Sequence, residues 1–244
     1  MALIVNADDF GKSHEVNMAI CEAFEKGLIN RTTLMVNMPF AEEAVEMAKR
    51  DGFLDKVGIH LNLTTGKPLS QGMAKDSLMC GIDGEFSADF ARNLKTRFFL
   101  PDATGKVTEE EIRLQLERYA LLGGTLWHLD SHHHVHTDPS IWKVLKKVIP
   151  DYPIKSVRLG RNMYRGGNIL MHLYKMIYNS SVRRFCSEKS DYFGSAQDYD
   201  NWTAGCDEKE FVLQSNIEIM VHPMYDEEGV LTDSGELLKK YMQD

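Results

Sequence analysis

Short apolar runs alternate with amphipathic stretches along the first third of the chain. Leu3 to Asn6 is a compact apolar run that stops at Ala7-Asp8-Asp9-Phe10-Gly11, and it reads as a buried strand. From His14 to Lys26 the apolar residues Val16, Ala19, Ile20, Ala23 and Phe24 recur near a 3.6-residue period, which predicts a helix. Ser13 suits its N-cap and Gly27 its C-terminal stop. Thr32 to Val36 predicts a second strand, Phe40 to Arg50 a second helix closed by Gly52, and Val57 to Leu63 a third strand carrying His60.

Thr64 to Asp102 breaks this cadence with several glycines, a proline and scattered charge, and reads as a long excursion with a short helix around Ala88 to Phe98. The pattern returns with a helix over Thr108 to Leu122, where Thr108 and Glu111 match a capping box and Gly123-Gly124 ends the run. Leu126 to Leu129 and Ile154 to Arg158 predict strands around a helix from Pro139 to Val148, with proline in its first turn. Beyond Gly160 the expected elements are a helix from Ile169 to Phe185, apolar runs at Phe211 to Ser215 and Ile217 to Val221, and a terminal helix from Gly235 to Met242. Strand–helix alternation implies a parallel α/β architecture. With no repeat or linker in view, the expectation is a single domain over residues 1–244 with an excursion at about 64–102.

Composition narrows the function classes. Formal net charge is −8 with histidines neutral and the isoelectric point is about 5.6, which argues against a large nucleic-acid footprint. No apolar stretch approaches the ~18 residues of a membrane helix, and the N-terminus reaches acidic residues too early for a signal peptide. Cys21, Cys80, Cys186 and Cys206 have neither paired spacing nor the density of a disulfide scaffold, so free thiols and a cytoplasmic location are expected.

The chemistry-bearing residues sit at or just after predicted strand ends, where parallel α/β folds build their sites. Asp8 and Asp9 repel one another unless a cation binds one of them, and that would leave the other free as a base. Adjacent strand residues face opposite ways, so the two can divide these roles only if the backbone turns there, and Gly11 allows a turn. His60 is either a hydrogen-bonded core residue or a ligand, and Asn62 shares its side of the strand. Five of the nine histidines fall between His128 and His136 in HLDSHHHVH. Neutral imidazoles are good ligands for borderline divalent metals. Two of them with Asp9 and His60 make a metal site, while Asp130 and the remaining histidines orient the ligands. Arg158 either pairs with a buried carboxylate or holds a substrate oxygen. Tyr164 and Arg165, beside Gly166-Gly167, line a cleft or a surface turn. His222, in Val221-His222-Pro223, is the candidate general acid.

Four segments together resemble the YdjC-like carbohydrate deacetylase family, which includes chitooligosaccharide deacetylases: Val5-Asn6-Ala7-Asp8-Asp9-Phe10-Gly11, Gly58-Ile59-His60-Leu61-Asn62-Leu63-Thr64, His128 through His136, and Val221-His222-Pro223. The resemblance implies a distorted β/α barrel of the polysaccharide-deacetylase type and metal-dependent removal of an N-acetyl group from an amino sugar, releasing acetate. It implies Asp9, His60 and His132 as metal ligands, Asp8 as base and His222 as acid. Magnesium is the metal it points to, with zinc, cobalt or manganese as alternatives. Asn62, Asp130, His134, His136, Arg158 and Tyr164 are left as substrate contacts or as supports for the ligands. The expected partner is a small acetylated carbohydrate, and a homodimer is a further expectation. A phosphoesterase or a non-catalytic carbohydrate-binding protein on the same scaffold are the alternatives.

Overall fold

The computed structural model describes residues 2–164, 168–204, 211–212, 214–233 and 235–241. Its central sheet is built from β1 (Leu3–Phe10), β2 (Arg31–Leu34), β3 (Val57–Leu61), β4 (His128–Ser131), β5 (Ser156–Val157), β6 (Tyr192–Ser195) and β7 (Ile217–Val221). The seven strands run parallel in the order β5-β4-β3-β2-β1-β7-β6. They curl into an incomplete barrel, the distorted β/α barrel that the family resemblance implies. Asn162 stands in for the strand pairing missing between β5 and β6. Its backbone N–H donates to the Phe193 carbonyl at 2.9 Å, its Oδ1 accepts from the Phe193 N–H at 2.8 Å, and its Nδ2 donates to the Asp191 carbonyl at 3.0 Å.

The strands are short because few residues suffice when both faces are buried. Val5, Ala7, Ile59, Leu61, Leu129, Ile219 and Val221 are all sealed from solvent. Helix α1 (His14–Glu25) covers the sheet with Ala19, Ile20 and Ala23, and α2 (Ala41–Arg50) with Ala41, Ala44, Val45 and Ala48. Ser13 caps α1 by accepting from the Val16 N–H.

The excursion carries two short helices, α3 (Asp89–Arg92) and α4 (Leu94–Phe98). It is held down by α5 (Asp102–Leu121), which begins a turn and a half before the predicted start. The expected capping box at Thr108 and Glu111 is therefore a mid-helix feature with other work. Thr108 donates to the Thr104 carbonyl, while the buried Glu111 carboxylate accepts from the backbone N–H groups of Leu69 and Ser70 at 3.1 and 2.7 Å. Gln115 bonds both backbone groups of Asn62. Helices α6 (Pro139–Val148) and α7 (Ile169–Phe185) have the predicted limits.

The C-terminal third departs further from expectation. Strand β6 and α8 (Ala196–Thr203), capped by a reciprocal Ser195–Asp198 box, fall where the apolar pattern gives no clear reading. Phe211 and Val212 are helical rather than extended. In place of the expected terminal helix, β8 (Pro223–Tyr225), β9 (Leu231–Asp233) and β10 (Glu236–Leu237) form a small antiparallel sheet, and Met242 lies outside the described residues. Pairing with neighbours overrides local helix preference here. Among the described residues no helix is long and apolar enough to cross a membrane.

Candidate metal and catalytic site

The barrel's polar centre begins with an irregularity in β1. Pairing of β1 with β2 shifts register between Ala7 and Phe10, and Asp9 sits at φ 70°. A left-handed conformation at a non-glycine residue costs on the order of 1–3 kcal/mol and persists only where its surroundings enforce it. Gly11 follows at φ 90°, where an added Cβ would meet the Ala41 Cα at 3.1 Å. The bulge is the turn that two adjacent aspartates need in order to face separate partners. The sequence points to Gly11 for that turn, but the backbone already makes it at Asp9.

Asp8 enters the barrel interior and meets Arg158, whose side chain is fully buried. Arg158 Nη1 and Nη2 approach Asp8 Oδ2 and Oδ1 at 2.6 and 2.7 Å, Nη2 also reaches Asp130 Oδ2 at 2.7 Å, and Nε donates to Glu218 Oε1 at 2.6 Å. Burial would raise the Asp8 pKa, but the guanidinium against it holds the carboxyl well below the usual carboxylate range. Of the two roles open to Arg158 in the sequence, pairing with buried carboxylates is the one the geometry assigns.

Asp9 faces a different set. Its Oδ1 lies 2.8 Å from His132 Nδ1 and 3.2 Å from His60 Nε2, and Lys12 Nζ reaches its Oδ2 at 2.9 Å. Both imidazoles stand at ion-pair distance from Oδ1 and hold the Asp9 carboxyl well below the usual carboxylate range against its burial, though among the described residues neither nitrogen meets Oδ1 in ideal hydrogen-bonding geometry. Ligand atoms of Asp9, His60 and His132 all lie within 4.8 Å of one another. Two other acid–histidine groups, Asp8–His60–Asp130 and His128–Asp130–Glu218, are as compact, but Arg158 already bonds acids in both. Among the described residues, the acid of the first group bonds no guanidinium, and Lys12 reaches only its Oδ2.

The charges around the cluster are closely matched. Asp8, Asp9, Asp130 and Glu218 are four buried carboxylates against the buried guanidiniums of Arg31 and Arg158 and the Lys12 ammonium on Asp9, so the acids are in excess unless His60 is protonated or a cation is bound. Asp130 holds His60 in position, accepting from Nδ1 at 2.7 Å through Oδ1 while Thr33 donates to its Oδ2 at 2.9 Å. That bond directs His60 Nε2 toward Asp9, as expected of a carboxylate supporting a ligating imidazole. Without an ion, burial lowers the His60 pKa but the carboxylates of Asp130, Asp9 and Asp8 raise it more, to about 10.

The histidine run divides by backbone geometry. His133 and His134 have φ of 53° and 55°, a kink that separates His132 from its neighbours. His132 stacks on His133, whose Nδ1 bonds Thr64 Oγ1 at 3.0 Å. His134 lies edge-on to Phe193 and beside His136, and its buried Nδ1 is unpaired among the described residues. His136 is sealed in the core with Nδ1 on Ser131 Oγ at 2.6 Å, and burial pushes its pKa down to about 3. His128 is likewise buried, bonded to Ser156 Oγ, with its pKa lowered to about 4.

His222 leaves β7 on the open side of the barrel, 39% exposed, with Nε2 4.0 Å from Asp8 Oδ2 and Nδ1 4.0 Å from Asp233 Oδ1. Its backbone N–H donates to Asp233 Oδ1 at 2.9 Å, so the small sheet carrying Asp233 fixes the approach of the imidazole. Asn62 spends its whole amide on the loop that follows β3. Oδ1 accepts from the N–H groups of Thr64 and Thr65, and Nδ2 donates to Thr65 O and Asn37 Oδ1. It thus shapes the rim of the site and has no donor left for a substrate. Tyr164 packs on His172 under the Lys175 ammonium, a contact away from the carboxylates, while Arg165 to Gly167 lie outside the described residues.

A family profile described as YdjC-like protein matches residues 2–243. The chain belongs to the YdjC-like family. Relatives of this family named carbohydrate deacetylase include one from Brevibacillus brevis, 35% identical over 96% of this chain and 86% of the relative. Another, from Clostridium beijerinckii, is 32% identical over the same shares of the two chains. One from Geobacillus stearothermophilus is 41% identical over 65% of this chain and 60% of its own. A solved structure from Enterococcus faecalis V583, carrying the name cellobiose-phosphate cleavage protein, superposes with a TM-score of 0.66 at 23% identity, over 98% of this chain and 87% of that one. That likeness supports the barrel.

Contributors to the site that escape the sequence reading include Arg31, Glu218, Thr33, Asp233 and Lys12. The first two carry a signal, since a charge within an apolar strand such as Ile217-Glu218-Ile219 needs a buried partner.

Proposed function

We propose that this protein is a metal-dependent carbohydrate deacetylase that removes an N-acetyl group from an acetylated amino sugar or short chitooligosaccharide, releasing acetate. The observation that carries the reading is the division of labour at the bulge: Asp9 faces two imidazoles and Asp8 faces Arg158 and His222. The names of its relatives supply the carbohydrate and the acyl group. Asp9, His60 and His132 would hold the ion. When bound, a divalent ion supplies Lewis-acid polarisation of the amide carbonyl and acidifies water.

The protein's own groups do the rest. Asp8 is kept ionised by Arg158, and its two oxygens are not equivalent. Oδ1 accepts from both Arg158 and Asn6, whereas Oδ2 accepts from Arg158 alone and faces His222. Oδ2 is therefore the oxygen that takes a proton from the attacking water. His222, across from it and open to solvent, delivers a proton to the departing sugar amine.

One carboxylate and two imidazoles form a donor set that favours borderline ions, so zinc and cobalt would bind more tightly than the harder manganese and than the magnesium to which the resemblance points. The test is acetate release from N,N'-diacetylchitobiose by metal-stripped protein, alone and with each of the four ions. Release that depends on the ion supports the reading and ranks the metals. No release with any ion, alongside cleavage of a phosphomonoester, would replace it with a phosphoesterase.

A further inference from the structure

We propose that Glu218 is a positioning residue for Asp8, acting through Arg158 on one side and through Arg31 and Asn6 on the other. Glu218 is the second residue of β7, fully buried between Ile217 and Ile219. A carboxylate there is strongly destabilising unless it is paired. Both of its oxygens face a guanidinium: Oε1 accepts from Arg158 Nε at 2.6 Å, and Oε2 is ion-paired with Arg31 Nη2 at 2.8 Å, outside hydrogen-bonding geometry. Arg31 Nε donates to Asn6 Oδ1 at 2.8 Å, and Asn6 Nδ2 donates to Asp8 Oδ1 at 2.8 Å. With the two Arg158–Asp8 bonds this closes a circuit: Asp8, Arg158, Glu218, Arg31, Asn6 and back to Asp8. Its members come from β1, β2, β7 and the residue after β5, so strands from across the sheet are tied to one carboxylate.

The planar guanidinium explains why the far member matters. It can meet a carboxylate with its two terminal nitrogens or with Nε and one terminal nitrogen. Because Glu218 occupies Nε, only the terminal pair is left for Asp8, and that pair is the one in use. The His128 imidazole nearest Glu218, with Nε2 at 3.7 Å, is kept neutral by burial and by Arg31, so it does not compete for the charge. Glu218 contacts none of Asp9, His60 or His132 among its described partners, so its influence is on the base and not on the ion.

The inference rests on Asp8 being the base of the proposed deacetylase, and the test separates the two. For wild type, E218Q and R31Q, kcat and KM would be measured on N,N'-diacetylchitobiose, Zn²⁺ affinity by calorimetry, and the E218Q crystal structure determined. E218Q should lose about 10- to 100-fold in kcat, the scale expected for displacement of a reacting group by about 1 Å. KM and Zn²⁺ affinity should stay within about twofold, with Asp8 swung off the terminal nitrogens of Arg158. R31Q, which leaves Glu218 its Arg158 partner, should lose less and serves if E218Q does not fold. Wild-type kcat in both variants, or an Asp8 unmoved in E218Q, would overturn the inference. An inactive wild type would instead refute the deacetylase reading, and the position of Asp8 in the E218Q crystal would still decide the positioning role.

Discussion

Replacing Arg158 by methionine tests the electrostatic design of the site, because methionine keeps most of the side-chain volume and removes only the charge and its donors. Arg158 makes four contacts of 2.6 to 2.7 Å with three carboxylates, all of them buried. The loss is not three full penalties, because Glu218 keeps Arg31 and Asp130 keeps Thr33 and His60. Asp8 alone is left without a cation in contact, retaining only the Asn6 amide. Breaking a buried pair by removing one member costs about 3–5 kcal/mol. For a chain of this size each kcal/mol moves the melting temperature by about 2–4 °C, so a drop of about 6–20 °C is expected at neutral pH.

The pH dependence has a definite sign. In the wild type Asp8's pKa is lowered, so its contribution to stability is present above the unfolded carboxylate pKa and is lost only in acid. In R158M burial dominates and raises that pKa, so the stranded carboxylate takes up a proton as pH falls and the penalty shrinks, by up to about 1.4 kcal/mol per pH unit. Scanning calorimetry of both proteins between pH 8 and pH 5 should show the gap narrowing as the solution is acidified. A gap under about 3 °C at pH 8, or one that stays constant to pH 5, would refute the reasoning.

Three further expectations are open to direct measurement. D9N should fold, because asparagine tolerates the left-handed conformation that Asp9 adopts, yet should lose Zn²⁺ affinity by on the order of 100-fold or more; calorimetric binding within threefold of wild type would remove Asp9 from the ligand set. D130N should weaken the same affinity by about 10- to 100-fold without touching the ion, through the lost anchor on His60 Nδ1, and unchanged affinity would deny that role. Mild acid should destabilise the fold: His128, His134 and His136, with pKa values lowered to about 4, about 4 and about 3, stay neutral while the unfolded chain protonates below about 6.5, so their stability is present above that pH and lost as pH falls toward 4. Asp138, raised by burial to about 6, opposes one of these three groups between about pH 4 and 6, leaving a net slope of about 2.8 kcal/mol per pH unit that urea unfolding would read; flat stability from pH 6.5 to 4.5 would contradict it.

Much of the scaffold is legible in the sequence because apolar periodicity reports burial. Helix α6, whose apolar face is buried, is bounded correctly to the residue, and so is α7, although many of its apolar side chains are exposed. Where structure is fixed by pairing between distant segments, the pattern is silent. β1 runs four residues beyond the apolar stretch because Ala7 to Phe10 still pair with β2 around the bulge. β6 and the small sheet after His222 are too short and mixed to announce themselves, and their partners lie far away in the chain. The site is legible in the same uneven way. The sequence brings Asp8, Asp9, His60, His132 and His222 forward as polar residues at strand ends, and the fold gathers them together. It does not separate His132 from His134 and His136, since that depends on two left-handed residues in the kink.

The bulge at Asp9 also accounts for how two neighbouring carboxylates escape mutual interference. Without it, both side chains would answer to one electrostatic environment, and any change in the ion would alter the base directly. With it, Asp8 belongs to a sealed circuit of guanidiniums and amides, and Asp9 to an open cluster of imidazoles with Lys12 at its edge. The two networks meet at Asp130, which bonds both Arg158 and His60. Changes deep in the circuit, at Glu218 or Arg31, should therefore reach the chemistry and spare the ion, whereas changes at His132 should reach the chemistry only through the ion. Asp130 is the position at which both properties should fail together.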